Sequence, residues 1–185
     1  DVKIKAIQSG PVTIETRFSE TLAVPEMLRL VRASEREGAN ALIIDCMSDP
    51  ALDPAREAAG IPVIGPAQAS AFVAASLAHR FSILATSRAM EHEFSEQMEG
   101  YGISSKLASV RTTGLSVEEV ETNPETTFEA LMNEAEKAVT QDGAHILFLG
   151  CTGMIGVARR LQDALHARKM YVPVLEPPAV AIKMA

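Results

Sequence analysis

EGANALIIDC (residues 37–46) and DGAHILFLGC (residues 142–151) present one order twice: an acid, Gly-Ala, a polar residue, four apolar residues, one further residue and a cysteine, at an offset of 105. Each copy follows an amphipathic run, with Met27 and Met132 at equivalent places. Each then leads through a helical stretch to a second apolar run, IPVIGP (61–66) and VPVLEP (172–177). The repeat is a helix-strand-helix-strand unit used twice. Short apolar runs alternating with helices are the pattern of parallel strands joined by crossovers. The expected fold class is therefore α/β with parallel sheets, its halves related by pseudo-two-fold symmetry about a cleft.

Outward from the repeat, the same alternation predicts strands at 2–8, 41–46, 61–64, 81–86, 106–111, 145–149 and 172–175. Helices are expected at 25–37 with Pro25 in the first turn, and as a short segment that Asp53 caps and Pro54 opens. Further helices fall at 67–78, 88–99, 124–141, 153–168 and from 178 onward. The helix at 124–141 shows its face most plainly, with Phe128, Leu131, Met132, Ala135, Ala138 and Val139 on one side. The chain opens at Asp1 on a strand-like run and stops at Ala185 on a helical one, so both ends read as cut.

Composition narrows the function. The formal charge is −7 and the Lys and Arg residues are scattered, which leaves no basic footprint for nucleic acid. The longest apolar runs, 41–44 and 146–149, are strand-sized and too short for a membrane span, and the N-terminus does not read as a signal peptide. A cytoplasmic protein with two reduced thiols is expected, since an aliphatic chain of 185 residues needs no disulfide. His79, His92, His145 and His166 lack ligand spacing, so no metal is expected. Glu118, Glu119 and Glu121 read as a solvated face.

In open α/β sheets, ligands bind beyond the carboxyl ends of the strands, which is where both cysteines fall. A lone cysteine there is usually packing. Placed identically in both repeats, and followed by Ser48-Asp49 in one and Thr152-Gly153 in the other, Cys46 and Cys151 become candidates for a catalytic pair. Moving a proton from one face of a carbon acid to the other needs two acid–base groups, one protonated and one not. Two thiols with ordinary pKa near ~8.5, one lowered by a helix N-terminus, would serve. The developing oxyanion needs donors, for which Ser48, Thr152 and their loop amides are candidates, with the strand-end pair Thr86-Ser87. Helix capping is an equal claim on these hydroxyls.

At IIDCMSDPAL, PVIGPAQAS and LGCTGM the sequence resembles the aspartate/glutamate racemase superfamily, in particular its hydantoin racemase branch. SGP at Ser9, Gly10 and Pro11, SEREG at 34–38 and Thr86-Ser87 fall in that branch's order, and the likeness spans nearly the whole chain. The resemblance implies two flavodoxin-like lobes, residues 1–66 with 177–185 and residues 67–176, holding a small-molecule substrate between them. It implies racemisation by Cys46 and Cys151 with no cofactor, neither metal nor pyridoxal phosphate. Substrate contacts are expected from Ser9, Gly10, Ser48, Asp49, Thr86, Ser87, Thr152 and Gly153. A 5-substituted hydantoin or related amino-acid derivative is the implied substrate. It implies also a strand and helix ahead of Asp1, with an Asn-containing substrate loop. Gln68, where many relatives carry an acid, and the bulky Met47 depart from the pattern.

Other readings share the residues. Amino-acid racemisation, cis–trans isomerisation of a dicarboxylate, or decarboxylation would use one or both cysteines differently. A ligand-binding module without chemistry would keep the cleft and use the thiols for packing or redox sensing. Small two-lobed enzymes often pair, so a homo-oligomer is admitted, with no nucleic acid and no membrane as partner.

Overall fold

The computed structural model describes residues 1–185, the side chain of Glu121 excepted. Helix α1 (Arg17–Arg36) begins two turns ahead of the expected start. The reason is local: Thr16 Oγ1 accepts from the Ser19 N–H (3.2 Å) and Ser19 Oγ from the Thr16 N–H (3.1 Å), a reciprocal cap. Pro25 consequently lies inside the helix rather than in its first turn. The run at 2–8 is not a strand, because among the described residues no strand lies beside it to complete a ladder. Val2 and Ile4 are exposed, and Lys5 ties the segment along α1 by an ion pair to Glu37.

The first sheet is a parallel pair, β1 (Leu42–Ile43) with β2 (Val63–Ile64), in register Leu42 to Val63. It is shorter than expected because the Cys46 N–H turns back onto the Ile44 carbonyl at 2.8 Å, a three-residue turn that ends the ladder. Between the strands, α2 (Leu52–Ala58) opens at buried Leu52, so Asp53 and Pro54 lie inside its first turn instead of capping and opening it. Helix α3 (Pro66–Leu77) follows directly on β2.

The second sheet holds β3 (Phe81–Ala85), β4 (Leu107–Thr112), β5 (Ile146–Leu149) and β6 (Val174–Leu175) in the order β4-β3-β5-β6, all parallel. Every residue of β3 and β5 is buried, as strands covered on both faces must be. Period two sorts their side chains. Phe81, Ile83, Ala85, Ile146 and Phe148 pack with Phe94 and Met98 of α4 (Ala89–Gly100) and with Ala67, Ala71 and Ala74 of α3. Leu84, Leu147 and Leu149 face α6 (Pro124–Thr140) and α7 (Val157–Ala167) through Leu131, Met132, Leu161 and Leu165.

A 3₁₀ turn at Ser104–Lys106 and the short helix α5 (Val117–Thr122) complete the crossover between α4 and α6. Glu118 and Glu119 are exposed, as expected, while the Glu121 side chain lies outside the described residues. The last helix, α8 (Pro177–Met184), returns to the first sheet, where Val180 and Ala181 meet Ile43, Ile64 and Ala69. Helices α3 and α8 pack on each other along the join between the sheets. Among the described residues no helix is long and apolar enough to cross a membrane.

Candidate active site

Three strands, one from the first sheet and two from the second, deliver their carboxyl ends to one place. Cys46 follows β1, Thr86 follows β3, and Gly150-Cys151 follows β5. Gly150 is required by closeness: a Cβ there would stand 2.9 Å from Ala85 Cα, and its N–H donates to the Leu84 carbonyl at 2.7 Å. That approach holds the second cysteine loop against the end of the central strand.

The two cysteine loops meet. Thr152 Oγ1, one residue after Cys151, donates to the carbonyl of Asp45, one residue before Cys46, at 3.3 Å. Both cysteines are half-buried and neither is in a disulfide. Cys46 Sγ lies 3.4 Å from Ser48 Oγ. Burial pushes the Cys46 thiol above its ordinary range; Ser48 opposes the shift, and charge on Cys151 adds to it. Of the two thiols the sequence offers as an acid–base pair, Cys46 is therefore the one whose surroundings favour the protonated form.

Beside Ser48 opens a polar cleft of about 500 Å³, lined also by Arg17, Glu20 and Thr21 of α1 and by Glu93, Glu96 and Gln97 of α4. Arg17 spans it in an ion pair with Glu96. Burial raises the Glu20 carboxyl, and Arg17 and the Ser48 hydroxyl partly offset this. A smaller hollow, about 370 Å³, lies behind the other loop between Gly153, Met154, Phe128 and Val157.

The remaining expected contacts are distributed unevenly. Thr86 is buried, and its carbonyl is taken by the Gly114 N–H (2.9 Å) and Thr113 Oγ1 (3.2 Å). Ser87 Oγ is enclosed and, among the described residues, has no hydrogen-bond partner, an uncompensated polar atom at the strand end. Thr152 is half-buried and Gly153 exposed. Ser9 and Gly10 are exposed on the segment beside α1, where Gly10 lies against Ile7 and Ala23, and they take no part in the bonds joining the cysteine loops.

Asp49 is 5% exposed. Its Oδ1 accepts from the Ala67 N–H (3.0 Å), and its Oδ2 from the Gln68 N–H (2.7 Å) and the Tyr101 hydroxyl (2.7 Å). Burial raises the carboxyl to about 6 against the lowering effect of those three donors. Tyr101 is itself pushed up by burial and by the Asp49 charge, and accepts from Gln97 Nε2 at 3.0 Å. Gln97 also reaches the Met47 carbonyl at 3.3 Å.

Sequence reasoning missed Tyr101, Gln97, Glu20 and Arg17, whose roles come from long-range contacts without a local pattern. It missed Glu176 too, whose Oε2 accepts from the Gly156 N–H at 2.7 Å. A signal was available there: in the paired runs IPVIGP and VPVLEP, Glu176 stands where the first repeat has Gly65. Among the described residues no group of three or more His, Cys, Asp or Glu is placed to hold a metal ion.

The profile of the Asp/Glu/Hydantoin racemase family matches residues 4–185. The hydantoin racemase of Rhizobium meliloti is 37% identical over 175 residues, 95% of this chain and 70% of that protein. The hydantoin racemase of Pseudomonas sp. strain NS671 is 33% identical over 187 residues, 100% of this chain and 73% of that protein. Among solved structures, allantoin racemase from Klebsiella pneumoniae superposes with a TM-score of 0.89 at 32% identity, covering 96% of this chain and 70% of that one.

Proposed function

This chain belongs to the Asp/Glu/Hydantoin racemase family and is an isomerase, and from that premise we propose that it racemises a 5-substituted hydantoin or a close relative by proton transfer between Cys46 and Cys151. The observation that carries the reading is the Thr152–Asp45 hydrogen bond, which joins the two cysteine loops at the carboxyl ends of β1 and β5. Charge on one thiol is felt by the other, so the pair favours holding one proton over holding none.

The proposed chemistry uses the pair with one thiol protonated and the other ionised. In one direction the Cys151 thiolate removes the proton from ring carbon 5, leaving the electron pair delocalised onto the adjacent carbonyl oxygen. The Cys46 thiol, kept protonated by burial, returns a proton to the opposite face, and the roles are then reversed for the other enantiomer. Ser87 Oγ, enclosed at the end of β3 and unpartnered among the described residues, is our candidate donor to the developing oxyanion, with Ser48 beside Cys46. The lobes that enclose the substrate are residues 1–66 with 177–185 and residues 67–176.

The substrate class rests on the relatives' names and on chemistry. Allantoin is itself a hydantoin ring substituted at carbon 5, so the named relatives share one reacting unit. Its C–H lies between a carbonyl and a nitrogen and is acidified without a carboxylate or ammonium to bind. The test is loss of optical rotation with single enantiomers of 5-benzylhydantoin, allantoin, aspartate and glutamate. Racemisation of a hydantoin, abolished at least 100-fold by Cys46→Ser and by Cys151→Ser, is expected. Racemisation of the amino acids alone would overturn the substrate, and activity surviving either substitution would overturn the mechanism.

A further inference from the structure

The Cys46 loop is held in a conformation it would not choose. Asp49 and Ala51, neither of them glycine, both have φ of 47°, in the left-handed region, with Pro50 between them. Such backbone persists only where its surroundings over-determine it. Here the restraint is the Asp49 carboxylate, which reaches out of the loop to three donors on two helices, the Ala67 and Gln68 amides of α3 and the Tyr101 hydroxyl at the end of α4. The Asp49 N–H meanwhile donates to the Cys46 carbonyl at 3.1 Å, so the same residue grips the backbone of the reacting cysteine.

Room for this carboxylate is built in. A Cβ at Gly65 would stand 2.4 Å from Asp49 Cγ, so the absence of a side chain there is what lets Asp49 reach the start of α3. The second repeat solves the same problem from the other side: Glu176, at the position of Gly65, sends its carboxylate to the Gly156 N–H after the Cys151 loop. Each cysteine loop is thus tied by a carboxylate to the neighbouring strand end, but from opposite partners.

We propose that Asp49 is a positioning residue, not a substrate contact: clamped over Gly65 by Ala67, Gln68 and Tyr101, it fixes the loop that aims the Cys46 thiol at the substrate. The proposal rests on the reading of Cys46 as one of the two proton-transfer groups. Because the carboxylate must accept from all three donors, the clamp works only when Asp49 is ionised. The titratable and charged groups that face it are Tyr101 from α4, Arg56 from α2, Glu20 from α1 and Cys46 in its own loop. Protonation near pH 6 turns one acceptor into a donor and loosens the clamp, so activity falls on the acid side through that pH.

The test uses Asp49→Asn, Gly65→Ala and Tyr101→Phe, with circular dichroism to establish folding. Asn presents one oxygen and one NH₂ to two backbone N–H groups, Ala at 65 displaces the carboxylate, and Phe at 101 removes a single hydroxyl. With 5-benzylhydantoin we expect kcat to fall about 100-fold in the first two and about 10-fold in the third, with KM within two-fold. The acid limb near pH 6 should be absent from Asp49→Asn. In a Cys151→Ser background, the pH profile of Cys46 alkylation by iodoacetamide should shift with each substitution, a readout that needs no substrate.

Raised KM with unchanged kcat would make Asp49 a substrate contact and overturn the proposal. So would wild-type kcat and alkylation profiles in Tyr101→Phe, which decides the matter if the other two variants do not fold. Cys46→Ser separates the two readings: if it racemises normally, the assignment of Cys46 has failed, and the alkylation arm alone then judges whether Asp49 sets the loop.

Discussion

Gly150 shows how one residue can place a functional group without touching the chemistry. Its missing side chain lets the end of β5 close to 2.9 Å of where a Cβ would meet Ala85, and Cys151 follows immediately. We predict that Gly150→Ala lowers stability by about 1–3 kcal/mol in urea denaturation, because the neighbouring atom is strand backbone and cannot swing away. The repeat marks the two cysteines at one shared position, whereas the hydroxyls near them stand at different offsets, Ser48 two residues after Cys46 and Thr152 one residue after Cys151. Asp49 was legible as polar and near Cys46, but not as buried: its donors, the amides of residues 67 and 68 and the hydroxyl of residue 101, lie far along the chain. Only the coincidence of Gly65 in one repeat with Glu176 in the other hinted at it.

At the scale of elements, alternation and period located the four strands of the second sheet and helices α3, α4, α6 and α8 to within a residue or two, whereas α7 begins four residues later than expected and the six-residue α5 was not foreseen. The central strands β3 and β5 are buried on both faces and α6 is long, which makes their patterns plain. The errors share a cause, which is that local caps and backbone turns outrank pattern at element ends. The Thr16–Ser19 reciprocal cap starts α1 before Pro25, and left-handed Gly156 starts α7 at Val157 instead of residue 153. The run at 2–8 alternates like a strand, yet a strand also requires a partner, which its own sequence cannot report. Since Pro25 deprives the Thr21 carbonyl of its helical bond, Pro25→Ala should stabilise the protein by about 1 kcal/mol or more, seen as a raised melting temperature.

For the whole molecule, the joining of two sheets along α3 and α8 brings a buried carboxylate from the first sheet's loop onto helices of the second, and this has a pH signature. The Asp49 pKa is raised from 3.8 to about 6, so the folded state binds the proton more tightly than the unfolded chain. Its contribution is greatest below pH 4 and is lost as pH rises to 6, on the order of 3 kcal/mol, then is constant above. Urea unfolding from pH 4 to 7 should show that slope in the wild type and not in Asp49→Asn. The same proton thus trades stability for an ionised clamp at neutral pH.

The central claim is that two thiols serve opposite faces of one carbon, and deuterium uptake tests it most directly. Each pure enantiomer of 5-benzylhydantoin is incubated in D₂O with wild type, Cys46→Ser and Cys151→Ser, and exchange at carbon 5 and inversion are followed together by NMR and chiral chromatography. The account predicts exchange with inversion in the wild type, and loss of inversion in both variants, any residual exchange being confined to one enantiomer in Cys46→Ser and to the other in Cys151→Ser. Exchange of both enantiomers by a single variant would mean that one thiol, or another base, reaches both faces, and would contradict it.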